Sequence, residues 1–304
     1  MGRTYVAGHT GLVGSAVIRR LAGSCEILSR TTEQLDLCNQ QAVNAFFEKQ
    51  RPEYVYLLAG HVGGIYANCT YPADFIYDNL MMEANVIHAA WRYRVKKLLL
   101  TGSSCIYPKM APQPIKEEYL LGGALEPTNQ WYAIAKIAGV KMAQAYRRQY
   151  GFNVICAMPT NLYGPGDNFD LRSSHVLPAL IRKFHEAKAS GAPRVTVWGT
   201  GTPRREFLHV DDLADALVFL MQNYDAEEII NVGTGKDLTI RELCEMVREA
   251  VGYQGAMIFD ASMPDGTPRK LLDVSRLRSM GWNPKISLRD GIRNTYSWFK
   301  DFIA

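Results

Sequence analysis

The chain has 304 residues, 47% of them hydrophobic and 21% charged, with a formal net charge of +4. This composition excludes a disordered chain, and a charge so small and so dispersed excludes the basic footprint of a nucleic-acid or membrane-surface binder. Six widely spaced cysteines with no Cys-x-x-Cys pair argue against a disulfide framework or a metal site, and no apolar run is long enough to span a bilayer or form a signal peptide, so a reduced, cytoplasmic protein is expected.

The first two-thirds alternates strand-like and helix-like segments. Thr4 to Ala7 reads as a strand, Gly11 to Leu21 as a helix, Glu26 to Leu28 as a strand and Gln40 to Gln50 as a helix. Glu53 to Ala59 is a third strand, Pro72 to Tyr93 a long amphipathic helix, and Lys97 to Thr101 a fourth strand centred on three leucines. Asn129 to Tyr150 is a second long helix, preceded by Pro127 and stopped by Gly151, and Asn153 to Met158 is a fifth strand.

Continuous apolar strands alternating with helices predict an α/β fold, a doubly wound parallel (Rossmann) sheet covered on both faces. After Pro159 the pattern loosens. Asn161 to Asp170 reads as a crossing loop, Ser174 to Lys188 as a helix and Val195 to Trp198 as a short strand. Phe207 to Val210 and Asp212 to Gln222 read as a return to the main sheet, followed by a strand at Glu228 to Val232 and another near Met257. A single core stops growing at roughly 250–300 residues. We therefore expect residues 1–165 and 207–234 to form a dinucleotide-binding domain, and residues 166–206 and 235–304 a smaller, discontinuous α/β substrate domain.

Gly8-His9-Thr10-Gly11-Leu12-Val13-Gly14 follows the first strand and opens the first helix. Glycines there let the backbone turn tightly against a pyrophosphate, which the free N–H groups of the helix N-terminus attract. At the end of the second strand Arg30 can pair with a 2′-phosphate, which points to NADP(H), and Asp36 can accept from the adenine amine. Leu58 and Ala59, then Gly60 and His61, end the third strand where a cofactor passes closely. The fourth strand ends in Thr101-Gly102-Ser103-Ser104-Cys105. Tyr132 and Lys136 lie four apart early on a helix and so share a face. A lysine ammonium beside a phenol favours the phenolate, which predicts a Tyr132 pKa lowered from ~10 toward working pH and a usable acid for a ketone accepting hydride. Ser103 can hydrogen-bond the same oxygen.

Glycine loop, serine strand end and Tyr-x-x-x-Lys in that order resemble the extended short-chain dehydrogenase/reductase family. The segments Gly102 to Pro108, Glu126 to Asn129, Pro159 to Pro165, Arg205 to Asp212, Asn231 to Gly235 and Pro264 to Lys270 resemble the branch that converts GDP-4-keto-6-deoxy-D-mannose to GDP-L-fucose with NADPH. The resemblance implies a reductive triad of Ser103, Tyr132 and Lys136, with Cys105 and His175 as the base and acid of a 3,5-epimerisation. It places Pro159, Asn161, Leu162 and His175 at the cofactor, and Asn161, Lys183, Trp198, Arg205 and Lys270 at the nucleotide sugar. It also implies a homodimer built on the two long helices, and no nucleic-acid or membrane partner. Members often carry arginine where this chain has Thr10 and a basic residue where it has Thr32. That leaves Arg30 as the main anchor for a 2′-phosphate and implies a less strict preference for NADPH. The competing readings are a GDP-colitose or GDP-6-deoxy-heptose reductase, a 4-epimerase or 4,6-dehydratase that recycles its cofactor, and a non-catalytic dinucleotide sensor.

Overall fold

The computed structural model describes residues 2–263 and 265–303; Met1, Ala304 and Pro264, the first residue of the last matched segment, lie outside them. Six parallel strands form the main sheet: β1 (Thr4–Ala7), β2 (Ile27–Leu28), β3 (Tyr54–Leu57), β4 (Lys97–Thr101), β5 (Val154–Pro159) and β9 (Ile230–Val232), in the order β2-β1-β3-β4-β5-β9. The order reverses direction between β1 and β3, which opens a crevice at their carboxyl ends.

Both faces of that sheet are covered, which is why β4 and β5 are buried along their whole length and read as continuous apolar runs. Helices α2 (Gln40–Gln50), α4 (Pro72–Arg92) and α5 (Gln130–Tyr150) pack one face. Helices α1 (Leu12–Leu21), α7 (Val210–Asn223) and α9 (Ser275–Ser279) pack the other. Between β3 and α4 lies a short helix, α3 (Ile65–Thr70), which the sequence pattern does not announce.

A separate core gathers α6 (Val176–Ser190), α8 (Ile240–Val251) and α10 (Leu288–Ile303) around strands outside the main sheet. The strand β8 (Arg204–His209) departs from the expected return to the main sheet. It pairs instead with β10 (Asp237–Thr239), β12 (Arg269–Lys270) and β6 (Asn161–Tyr163). The helix after it, α7, does return to the main sheet. β6 lies in the stretch expected to be a loop, because three residues pairing on one side give too short a pattern to recognise. A further pair, β7 (Arg194–Trp198) and β11 (Ala256–Asp260), runs parallel.

Candidate active site

All the residues singled out from sequence as catalytic, cofactor-binding or substrate-binding line one cleft of about 1760 Å³, which runs from the carboxyl ends of β1 and β3 to the second core. The glycine loop forms one end. Gly8 has φ of +85°, and a Cβ there would stand 2.7 Å from the Ala59 backbone. A Cβ on Gly14 would stand 2.0 Å from the Gly8 carbonyl, so only glycine lets α1 begin this close to the loop. Gly11 caps α1 without a side-chain hydrogen bond and has no such crowding, which leaves the first N–H groups of the helix free for an anion. The loop thus fits a dinucleotide's diphosphate. Arg30, half-buried at the end of β2, lies 5.6 Å from the Phe46 ring centroid and donates to the Ser29 carbonyl at 2.6 Å. Asp36 and Thr32 are exposed on the same rim, and Thr10 lies in the loop.

In the middle of the cleft Ser103 leaves β4 in extended conformation, and its Oγ accepts from the Cys105 N–H at 3.2 Å. Tyr132 and Lys136 come from the first two turns of α5, with Lys136 Nζ 5.8 Å from the Tyr132 ring centroid. Lys136 is not free. Its ammonium donates to Glu83 Oε1 at 2.8 Å and to the Thr101 carbonyl at 3.2 Å, and both members of the ion pair are buried. Glu83 is a residue that sequence reading missed, since one glutamate inside a long amphipathic helix looks like any solvated charge.

The expected fall in the Tyr132 pKa does not occur in the structure. Burial pushes the phenol up to about 12; Lys136 opposes this, Cys105 and Glu83 add to it, and a hydrogen bond with Ser103 opposes it. The lysine effect argued from sequence is real but smaller than the desolvation it works against. Tyr132 is therefore a protonated phenol at neutral pH.

The Cys105 sulfur receives two donors, Asn129 Nδ2 at 3.3 Å and Lys270 Nζ at 3.5 Å. Asn129 stands at the N-cap of α5 but does not cap it, and its Oδ1 is buried without a hydrogen-bond partner among the described residues. It is a second site residue missed from sequence, hidden by its ordinary role as helix punctuation. His175 stands at the N-cap of α6, its ring open to the cleft. The surrounding protein, then Lys270, hold its imidazole below the ordinary histidine range.

At the far end, β8 alternates its side chains. Arg204 reaches Asp237 at 3.1 Å, Arg205 lines the cleft, and Glu206 is fully buried. Arg205 donates to the Arg204 and Asp265 carbonyls at 2.8 and 3.4 Å. Lys183 lies 5.6 Å from the Trp198 ring centroid, and Trp198 is half exposed to the cleft. Asn161 donates to the Glu206 carbonyl at 2.8 Å, while Pro159 and Leu162 line the wall beside it. His61, at the end of the third strand, pairs with Asp78 at 2.9 Å and stacks on Phe75, which meets Tyr132 edge-on.

Residues 4–233 match the model of the NAD dependent epimerase/dehydratase family. The chain is 60% identical to GDP-L-fucose synthase 1 of Arabidopsis thaliana, over 98% of this chain and 93% of that one. Among solved structures it resembles a GDP-6-OMe-4-keto-L-xylo-heptose reductase from C. jejuni, with a TM-score of 0.95, 42% identity and coverage of 99% and 98% of the two chains. It also resembles a GDP-L-fucose synthetase from Naegleria fowleri bound to NADP, with a TM-score of 0.92, 29% identity and coverage of 99% and 95%.

Proposed function

The chain belongs to the NAD dependent epimerase/dehydratase family, and within it we propose that the protein converts GDP-4-keto-6-deoxy-D-mannose to GDP-L-fucose by 3,5-epimerisation followed by NADPH-dependent reduction of the 4-ketone. The observation that carries this reading is the meeting of two sets of groups in one cleft. Ser103, Tyr132 and Lys136 suit ketone reduction, and Cys105, held by Asn129 and Lys270, with His175 lining the same cleft, suits proton exchange beside a ketone. A 4-epimerase or 4,6-dehydratase that recycles its cofactor does not require the pair of Cys105 and His175.

NADP(H) fits the residues present. The glycine loop and the N-terminus of α1 would hold its diphosphate, Arg30 its 2′-phosphate and Asp36 its adenine, and when bound it supplies the hydride. Arg205 and Lys270 would hold the substrate diphosphate, with Lys183 and Trp198 beside the base. The ketone oxygen would sit at Tyr132 and Ser103. A 4-ketone acidifies the hydrogens at C3 and C5; Cys105 removes one, the two hydroxyls donate hydrogen bonds to the enolate oxygen, and His175 returns a proton from the other side. Reduction follows on the same oxygen, protonated by Tyr132.

We further propose a cytoplasmic homodimer. A free thiol at Cys105 requires a reducing compartment, and all six cysteines are unpaired. Tyr77 on α4 and Trp131, Ile134 and Tyr150 on α5 are exposed on the two helices expected to pair. Sedimentation as a monomer at micromolar concentration would refute the dimer. The function itself is tested by NMR of the product made from GDP-4-keto-6-deoxy-D-mannose and NADPH in deuterated water. GDP-L-fucose carrying deuterium at C3 and C5 is expected; a reduced but unepimerised sugar would sink the reading.

A further inference from the structure

Beneath the cleft, α4 and α5 meet at a buried ion pair. Glu83 and Lys136 are 1% and 3% exposed, and the pair's oxygen and nitrogen lie 2.8 Å apart. Room for the carboxylate comes from Gly139, less than a turn beyond Lys136 on α5, where a Cβ would stand 1.9 Å from Glu83 Oε2. That second oxygen has no hydrogen-bond partner. A buried pair of this kind is a poor source of stability, because desolvation offsets most of its attraction. The position of Lys136 Nζ, 5.8 Å from the Tyr132 ring centroid, points to another purpose.

We propose that Glu83 is a positioning residue for the reduction: its carboxylate, seated in the space Gly139 leaves, fixes the Lys136 ammonium under Tyr132 and keeps it charged. This deepens the reading of Tyr132 as proton donor and rests on it. In the reducing step the ketone carbon would gain the hydride that NADPH supplies, the nicotinamide C–H bond breaking to leave NADP+. The Tyr132 O–H bond breaks, its proton goes to the ketone oxygen, and a phenolate remains until solvent reprotonates it. That phenolate needs a cation beside it at that instant. Burial works against the lysine's proton, and Glu83 and Tyr132 together more than reverse this, raising Lys136 above its ordinary value; burial likewise pushes the Glu83 carboxyl up, against the pull of Lys136, and the short contact between the two favours the charged pair. The other titratable groups facing the trio are Cys105, after β4, toward Tyr132, and Cys156, in β5, toward Glu83. Neither thiol supplies a positive charge.

Removing the carboxylate's charge moves activity in one direction by either of two routes. If Lys136 stays charged, Tyr132 loses a nearby negative charge and ionises at lower pH, so the acid is lost earlier. If Lys136 loses its proton, the cation is lost earlier. The test is the pH dependence of kcat for ketone reduction in Glu83→Gln against the parent, with NADPH saturating. The alkaline limb is expected to fall about one pH unit lower, with the KM for NADPH unchanged and Glu83→Asp restoring part of the shift. Gly139→Ala, which displaces the carboxylate, should reproduce it. An unmoved limb in folded Glu83→Gln overturns the proposal; should that variant not fold, Glu83→Asp and Gly139→Ala are read by the same criterion. Tyr132→Phe run in parallel separates the two readings, since retained turnover there sinks the assignment of the acid itself, whatever Glu83 does.

Discussion

Replacing Glu206 by glutamine should lower stability and loosen the nucleotide-sugar end of the cleft while leaving the cofactor end intact. Glu206 is fully buried, and its two oxygens serve different parts of the chain. Oε1 accepts from Gly235 N–H at 2.6 Å and from the Thr234 hydroxyl at 3.3 Å, and Oε2 accepts from Leu272 N–H at 3.0 Å. The amide keeps the volume, so no cavity opens. It has one acceptor, and if the amide oxygen keeps the two donors at 234–235, its NH2 faces the Leu272 N–H donor to donor. One lost hydrogen bond and one orphaned buried N–H come to about 2–4 kcal/mol. In a chain of this length that is a fall in Tm of roughly 3–6 °C. Leu272 lies two residues beyond Lys270, so the KM for the nucleotide sugar should rise. Differential scanning calorimetry, NADPH fluorescence titration and steady-state kinetics on one preparation test all three parts. A variant that melts within about a degree of the parent, or one that loses NADPH affinity as much as sugar affinity, would refute the reasoning.

Cys105→Ser should slow deuterium exchange at C3 and C5 by about a hundredfold or more, the usual contribution of a positioned base, while cofactor binding holds; exchange at the parental rate would remove Cys105 from the mechanism. Arg30→Ala should cut the ratio of kcat/KM with NADPH to that with NADH by roughly ten- to a hundredfold, as expected for a lost charge-assisted contact to phosphate. An unchanged ratio would move the 2′-phosphate elsewhere. Asp237 binds Arg204 at 3.1 Å and Arg269 at 2.6 Å. Burial works against its carboxylate, but these two partners prevail and hold its pKa below 3.8 in the fold. Its contribution to stability is thus complete above that value and disappears as pH falls through the lower folded value. Acid unfolding of Asp237→Asn should lack that part of the pH dependence, and a curve merely shifted down in parallel would argue against it.

The main sheet was legible from sequence because its strands are buried on both faces and its helices are punctuated in the usual way. Lys97–Thr101 and Gln40–Gln50 fall where the pattern places them. The second core was harder to read. β10 and β12 are three and two residues long, and their pairing with β8 is a matter of tertiary contact that no local periodicity carries. In the candidate site, the glycine loop, Ser103, Tyr132 and Lys136 could be read from residue type, order and spacing, whereas Cys105, His175 and the groups at the nucleotide-sugar end came from the family resemblance. The Tyr132 pKa went the other way because desolvation depends on how much protein surrounds the ring, which a spacing of four residues does not contain. Glu83 and Asn129 were missed for the same reason: each looks ordinary until its partner is in view.

The contact between Glu83 and Gly139 also bears on how this sequence can change. A glycine inside a helix costs about 1 kcal/mol relative to alanine, so in isolation any drift at position 139 would be a gain. With Glu83 in place that gain is blocked, because the first added carbon meets the carboxylate at 1.9 Å. Glu83 in turn cannot be lost first without leaving the Lys136 ammonium buried and unpaired. Each residue removes the other's single-step escape, so descendants of this chain are expected to keep both or to have exchanged both.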